Sequence, residues 1–206
     1  MVEIETIERD ILDCLQHIHF MNTFMLFSNE MLKVYGHNEF VNNLFASEID
    51  NFHCMITVSQ LEISLVLKSI HYSNNDYEKR HNIKKAILTT YEIKKVLDKL
   101  NPVLKIIKDK HPDLNEEFKE MVIIIKAVKK FIAENNRIKG IRDNISAHIN
   151  PNFVEYNSHL KKINIEEDVD FIIKLKMILN KLNEFLYKVV ISRIENKNIS
   201  NNSFAL

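Results

Sequence analysis

Apolar residues recur every three or four positions along almost the whole chain, which is the period of a helix with one buried face. Ile4, Ile7, Ile11, Leu15 and Ile18, continued by Met25 and Leu26, predict a helix over about 3–34 that stops near Gly36. Phe40, Leu44, Phe45, Ile49, Phe52 and Ile56 mark one stripe of a second helix over about 39–71. Ser73-Asn74-Asn75-Asp76 reads as a loop. A third helix follows from Tyr77 to about Leu100, where Asn101-Pro102 ends or kinks it, and a short piece covers 103–110. Asp113, with Glu116 three residues on, resembles a capping box. From it Leu114, Phe118, Met121, Ile125, Val128 and Ile132 run as a stripe to about Glu134. Asn135-Asn136 and Gly140 interrupt the helix before 141–149, Asn150-Pro151-Asn152 is a turn, and 153–165 reads as irregular or only briefly structured. Glu166, Glu167, Asp168 and Asp170 suit the N-terminus of a last long helix ending near Ile194.

Composition narrows the fold. The 206 residues include two glycines and three prolines, too few to supply the turns of a β-sandwich or barrel. Gly36 and Gly140 are too far apart for a glycine-rich phosphate loop. The expected fold is all-α, an elongated up-and-down bundle of four to five long helices forming one domain over 1–195, with a flexible polar tail at 196–206.

Formal charge is zero, 28 basic against 28 acidic side chains, so no global basic field points to a nucleic acid. The distribution is uneven. Residues 1–60 carry two basic and nine acidic side chains, and residues 61–111 carry eleven and six, with the basic excess densest from Lys79 to Lys110. A solvated helix face is the ordinary meaning of such a run, and a footprint for an anion is the sharper one. The acidic start, the two lone cysteines Cys14 and Cys54, and the lack of an apolar stretch of spanning length lead us to expect a cytoplasmic protein with reduced thiols and no membrane partner.

Cys14, His17 and His19, with His53-Cys54 on the next helix, raise a zinc site shared by two helices. The absence of C-x-x-C or H-E-x-x-H spacing favours core thiols and interfacial histidines, and neither metal nor cofactor is expected. Phe20, Met21, Phe24, Met25, Phe27 and Met31 form a stripe that reads as core or as dimer contact before it reads as a ligand site.

The strongest candidate chemistry is Ile141-Arg142-Asp143-Asn144-Ile145-Ser146-Ala147-His148-Ile149. Ile141, Ile145 and Ile149 are spaced for burial, which leaves Arg142, Asp143, Asn144, Ser146 and His148 as a polar cluster on the rest of the circumference. Asn144 lies one turn before His148 and can orient its imidazole. The segment resembles the HEPN superfamily of helical bundles, whose signature is an Arg, four to six residues and a His, commonly with a polar residue after the Arg. Arg142 and His148 have five residues between them, Asp143 follows the Arg, and Asn144 has the offset from His148 of the usual Asn. The resemblance implies a metal-independent endoribonuclease acting as a homodimer, with Arg/His motifs paired across the two-fold axis, in toxin–antitoxin or phage-defence systems. Arg142 and His148 would be catalytic, with Asp143, Asn144 and Ser146 in support. RNA would be the substrate, and an antitoxin or regulatory protein a further partner. Nucleotide-modified toxins of the family often carry Tyr two residues after the His; Asn150 stands there, so that regulation is not expected. The competing class is an inert helical dimer serving as a protein- or nucleotide-binding scaffold or a regulatory subunit.

Overall fold

The computed structural model describes residues 3–35, 47–134, 136–143 and 152–202, and all regular structure among them is helical. The elements are α1 (Ile4–Tyr35), α2 (Ser47–His71), α3 (Asp76–Asp98), α4 (Leu100–Lys110), a 3-10 turn at Pro112–Leu114, α5 (Asn115–Glu134), α6 (Asn136–Ile141), α7 (Phe153–Lys161) and α8 (Ile165–Asn202). Five of these helices are long, so the all-α bundle expected from the apolar spacing is what the chain forms. No helix among the described residues is long and apolar enough to cross a membrane.

Local chemistry sets the boundaries. Asn75 caps α3, its side-chain oxygen accepting from the Glu78 amide at 2.9 Å, while the Glu78 carboxylate accepts from the Asn74 amide at 2.8 Å. The helix ends at Asp98, and Pro102 falls in the first turn of α4, where a missing N–H breaks no helical bond. Asp113 is not the cap of α5. It sits inside the 3-10 turn and accepts a 2.7 Å hydrogen bond from the Ser192 hydroxyl, which also lies 3.2 Å from Nδ1 of the buried His111. Serine stands between imidazole and carboxylate here, so the trio ties the α4–α5 junction to α8 rather than arming a nucleophile, which would need the imidazole in the middle.

Three other expectations are corrected. Residues 153–161 form a capped helix, α7, because Asn152 accepts from the amides of Val154 and Glu155. Gly140 lies within α6 instead of interrupting it. The last helix runs on to Asn202, beyond the end near Ile194 that its polar composition indicated.

The core is one buried cluster to which every helix contributes. Its axis is α2, which packs against α1, α3, α4 and α8 and buries Ile49, Phe52, Ile56, Ile63, Leu67 and Ile70 at spacings of three, four and seven. On α1 the buried row is Ile7, Ile11, Cys14 and Met21, so Leu15 and Leu26 of the expected stripe face outward. Beside its apolar row, α2 buries a second one of polar residues, Asp50, His53, Thr57, Gln60 and Ser64, again at helical spacing.

Part of the basic run is structural. Arg80 Nη1 donates to the carbonyls of Lys161 at 2.8 Å and Ile163 at 2.5 Å, holding the α7–α8 junction against α3. Replacing Arg80 with Met should remove two charge-assisted bonds and lower unfolding free energy by about 2 kcal/mol, read from urea midpoints. Lys85→Met, exposed on the same helix, should stay within about 0.5 kcal/mol of wild type.

Candidate functional site

Two places concentrate chemistry. The first is the end of α6. Arg142 and Asp143 follow it in a single wide turn, and Arg142 lies over the Tyr91 ring of α3, 4.3 Å from the ring centroid. Its Nε donates to Asp143 Oδ1 at 2.7 Å and its Nη2 lies 2.5 Å from the same oxygen. The side chain is 36% exposed, and Nη1 keeps its donors without a partner among the described residues. The guanidinium is therefore fixed by a ring beneath and a carboxylate at one edge, with its other edge met by none of the described residues, an arrangement suited to a phosphate or carboxylate oxygen. Burial raises the Tyr91 phenol above its ordinary range, and the neighbouring Arg142 opposes that rise. Of the five motif residues the structure brings together Arg142 and Asp143; Asn144, Ser146 and His148 lie outside the described residues. Nothing in the sequence pattern pointed to Tyr91, which lies far away along the chain and meets Arg142 only through the packing of α6 on α3.

The second place is a polar seam where α1, α2 and α8 meet. Asp10, Asp13, Cys14 and His17 of α1 face His53, Thr57 and Gln60 of α2 and Asn180, Asn183 and Tyr187 of α8, around a cavity of about 350 Å³. Across the seam Lys176 of α8 forms a buried ion pair with Asp10, and the Asn183 amide donates to Gln60 Oε1. The Thr57 hydroxyl lies 3.1 Å from Asn183 Oδ1 and 3.0 Å from the His53 carbonyl. The rings of His17 and His53 stand 4.4 Å apart at 49°. His17 Nε2, His53 Nδ1 and Asn180 Oδ1 are buried with no hydrogen-bond partner among the described residues.

Burial, together with the neighbouring His17, pushes the His53 imidazole down to about 3, and burial alone lowers His17. Desolvation and the carboxylates of Asp10 and Asp13 push the Cys14 thiol up to about 11, so it stays protonated. The zinc grouping comes together only in part. Cys14, His17 and His53 share the cavity, His19 is exposed on α1, and Cys54 is outside the lining. Among the described residues no three His, Cys, Asp or Glu side chains converge as metal ligands, and both cysteines are free. The signal that marks the seam was present in the sequence: polar residues at 50, 53, 57, 60 and 64 repeat with the period of the isoleucine row beside them.

The chain matches no model of a known protein family, no curated protein and no solved structure. Functional reading therefore rests on the side chains themselves.

Two outcomes follow from the seam. In the unfolded chain His53 regains its ordinary value near 6.5, so between about pH 6.5 and 3 the unfolded state binds a proton that the folded state refuses. Stability should fall as pH drops through that window, by about 1.4 kcal/mol per pH unit from this group. Urea midpoints at pH 7.5, 6 and 5 should show the decline, and His53→Leu should make it shallower. Lys176→Met should cost about 3 kcal/mol by leaving the Asp10 carboxylate poorly solvated, and Asp10→Leu added to it should recover most of that loss.

Proposed function

We propose that the chain is a metal-independent endoribonuclease of HEPN type, acting on RNA as a homodimer in a toxin–antitoxin or phage-defence system. The observation that carries this reading is Arg142, held on Tyr91 at the start of the Arg142–His148 motif with one edge of its guanidinium met by none of the described residues. RNA cleavage by 2′-hydroxyl attack needs a base for that proton, an acid for the leaving 5′-oxygen, and positive charge on the phosphorane. Arg142 would bind the scissile phosphate with Asp143 holding its fork. An imidazole can take and give a proton in turn, so His148 would serve as base and acid together with its dimer mate, with Asn144 orienting the ring and Ser146 contacting the ribose. Lys139 on α6 is exposed nearby and adds charge for the RNA backbone.

A specific feature supports the dimer. The outer side of α1 exposes Leu12, Leu15, Phe20, Leu26, Phe27 and Val34, with Phe20 at 63% and Val34 at 71%. Monomeric proteins seldom leave such a row uncovered. The same row also favours the second reading, an inert dimeric scaffold for an antitoxin or regulatory partner, so activity has to separate the two.

Purified protein incubated with mixed RNA in EDTA should release fragments ending in 2′,3′-cyclic phosphate and 5′-hydroxyl. His148→Ala should cut at least about 100-fold more slowly. Arg142→Lys keeps the charge but loses the fork and should be similarly impaired. Cleavage that survives both substitutions, or a folded dimer that cleaves nothing, would favour the scaffold.

A further inference from the structure

The seam between α1, α2 and α8 is built differently from the rest of the core, and the difference points to a ligand. Its deep wall is made by His53, which is 2% exposed, with Thr57 and Gln60, while Asp13 and Glu184 are exposed at its mouth. A polar atom buried in a helical bundle normally finds a partner, because an unmet donor or acceptor loses its water for nothing. Among the described residues three go unmet around this one cavity: Asn180 Oδ1, His53 Nδ1 and His17 Nε2. The amide oxygen can only accept, and each neutral imidazole presents a lone pair on one nitrogen.

Charge narrows the class. Three carboxylates line the cavity, Asp10, Asp13 and Glu184, and no lysine or arginine does. Lys176 neutralises Asp10 from outside the lining, which leaves Asp13 and Glu184 uncompensated there. A phosphate, nucleotide or carboxylate would meet repulsion at the mouth, and its oxygens, which only accept, would leave Asn180 Oδ1 unmet. A metal ion would need three converging ligands, which the described residues do not present. A molecule carrying positive charge and several N–H groups meets both requirements, with ammonium at the carboxylates and N–H donors at the amide oxygen and, in the tautomers that leave His17 Nε2 and His53 Nδ1 unprotonated, at the imidazoles.

We propose that this cavity is a binding site for a small organic polycation of the di- or polyamine class, held by Asp13 and Glu184 at the mouth and by Asn180, His17 and His53 within. The site lies on helices other than those that hold Arg142, and it stands whether or not the chain cleaves RNA.

Calorimetry and thermal unfolding with putrescine and spermidine test this directly, with AMP and zinc chloride as comparison probes. Spermidine should bind at one site per chain and raise the melting temperature by about 3 °C at ten times its Kd. AMP should do neither. Asp13→Asn with Glu184→Gln, both at exposed positions, should weaken spermidine about tenfold or more without lowering the melting temperature of the free protein. Glu5→Gln with Glu62→Gln removes the same charge elsewhere and should leave binding unchanged. Asn180→Leu should weaken both amines as well. Absence of amine binding, equal weakening by the two charge pairs, or tight zinc binding lost in His53→Leu while amines fail to bind would each overturn the proposal.

Discussion

Helix α2 is buried along two neighbouring rows, and these make unlike demands on the helices that cover them. The isoleucine row is indifferent to detail, since burying a methyl group is worth about the same against any apolar partner. The polar row is not. Asp50, His53, Thr57, Gln60 and Ser64 lose water on folding, and the partners they find have to stand at the right height. Where α1 and α8 close over this row they bring side chains to match: Asn183 reaches Gln60 and Thr57, and Asp10 meets Lys176. Sliding any of the three helices by one turn would keep the apolar contacts and break the polar ones. The polar groups therefore contribute register, while the apolar ones contribute most of the driving force.

That division explains what could be read from the chain before its structure. Helix existence was legible, because it depends on a periodicity repeated many times over. The stripes of α2 and α5 landed on the residues expected, Ile49, Phe52 and Ile56 in one and Met121, Ile125, Val128 and Ile132 in the other. On α1 the face was drawn a little off. Leu15 and Leu26 are as apolar as Ile7 and Ile11, and only the presence of α2 on one side decides that Cys14 and Met21 go inward instead. The helix α7 is hard to see in the sequence because its nine residues carry a weak apolar pattern, and the Asn152 cap that starts it suits a turn equally well.

Sites were legible in a different measure. Arg142 and Asp143 were marked by the density of functional groups in a short segment, and they do meet. Tyr91 was invisible, because contact between residues so distant along the chain is decided by how α6 packs on α3 and by nothing local. The basic run from Lys79 to Lys110 was read as a single feature, yet its members have separate employments. Arg80 binds carbonyls, Lys84 lies 3.3 Å from the Tyr156 hydroxyl, and Lys94 and Lys95 pair with Asp98 and Glu92. Counting charge in a window cannot distinguish a cation offered to a ligand from one already engaged.

Both Arg80 and Tyr91 belong to α3, and each grips the chain at a different point, Arg80 at Lys161 and Ile163 and Tyr91 at Arg142. At about 1.5 Å of rise per residue, these two grips lie roughly 16 Å apart along one rod. The helix thus works as a ruler for the two described ends, Arg142 and Lys161, of the stretch between them. Its two ends are set by the length of α3 and not by the helices that flank it in sequence. An insertion of one residue into α3 between positions 80 and 91 would turn one grip about 100° relative to the other. The whole segment would then have to be threaded anew, although none of its own residues had changed.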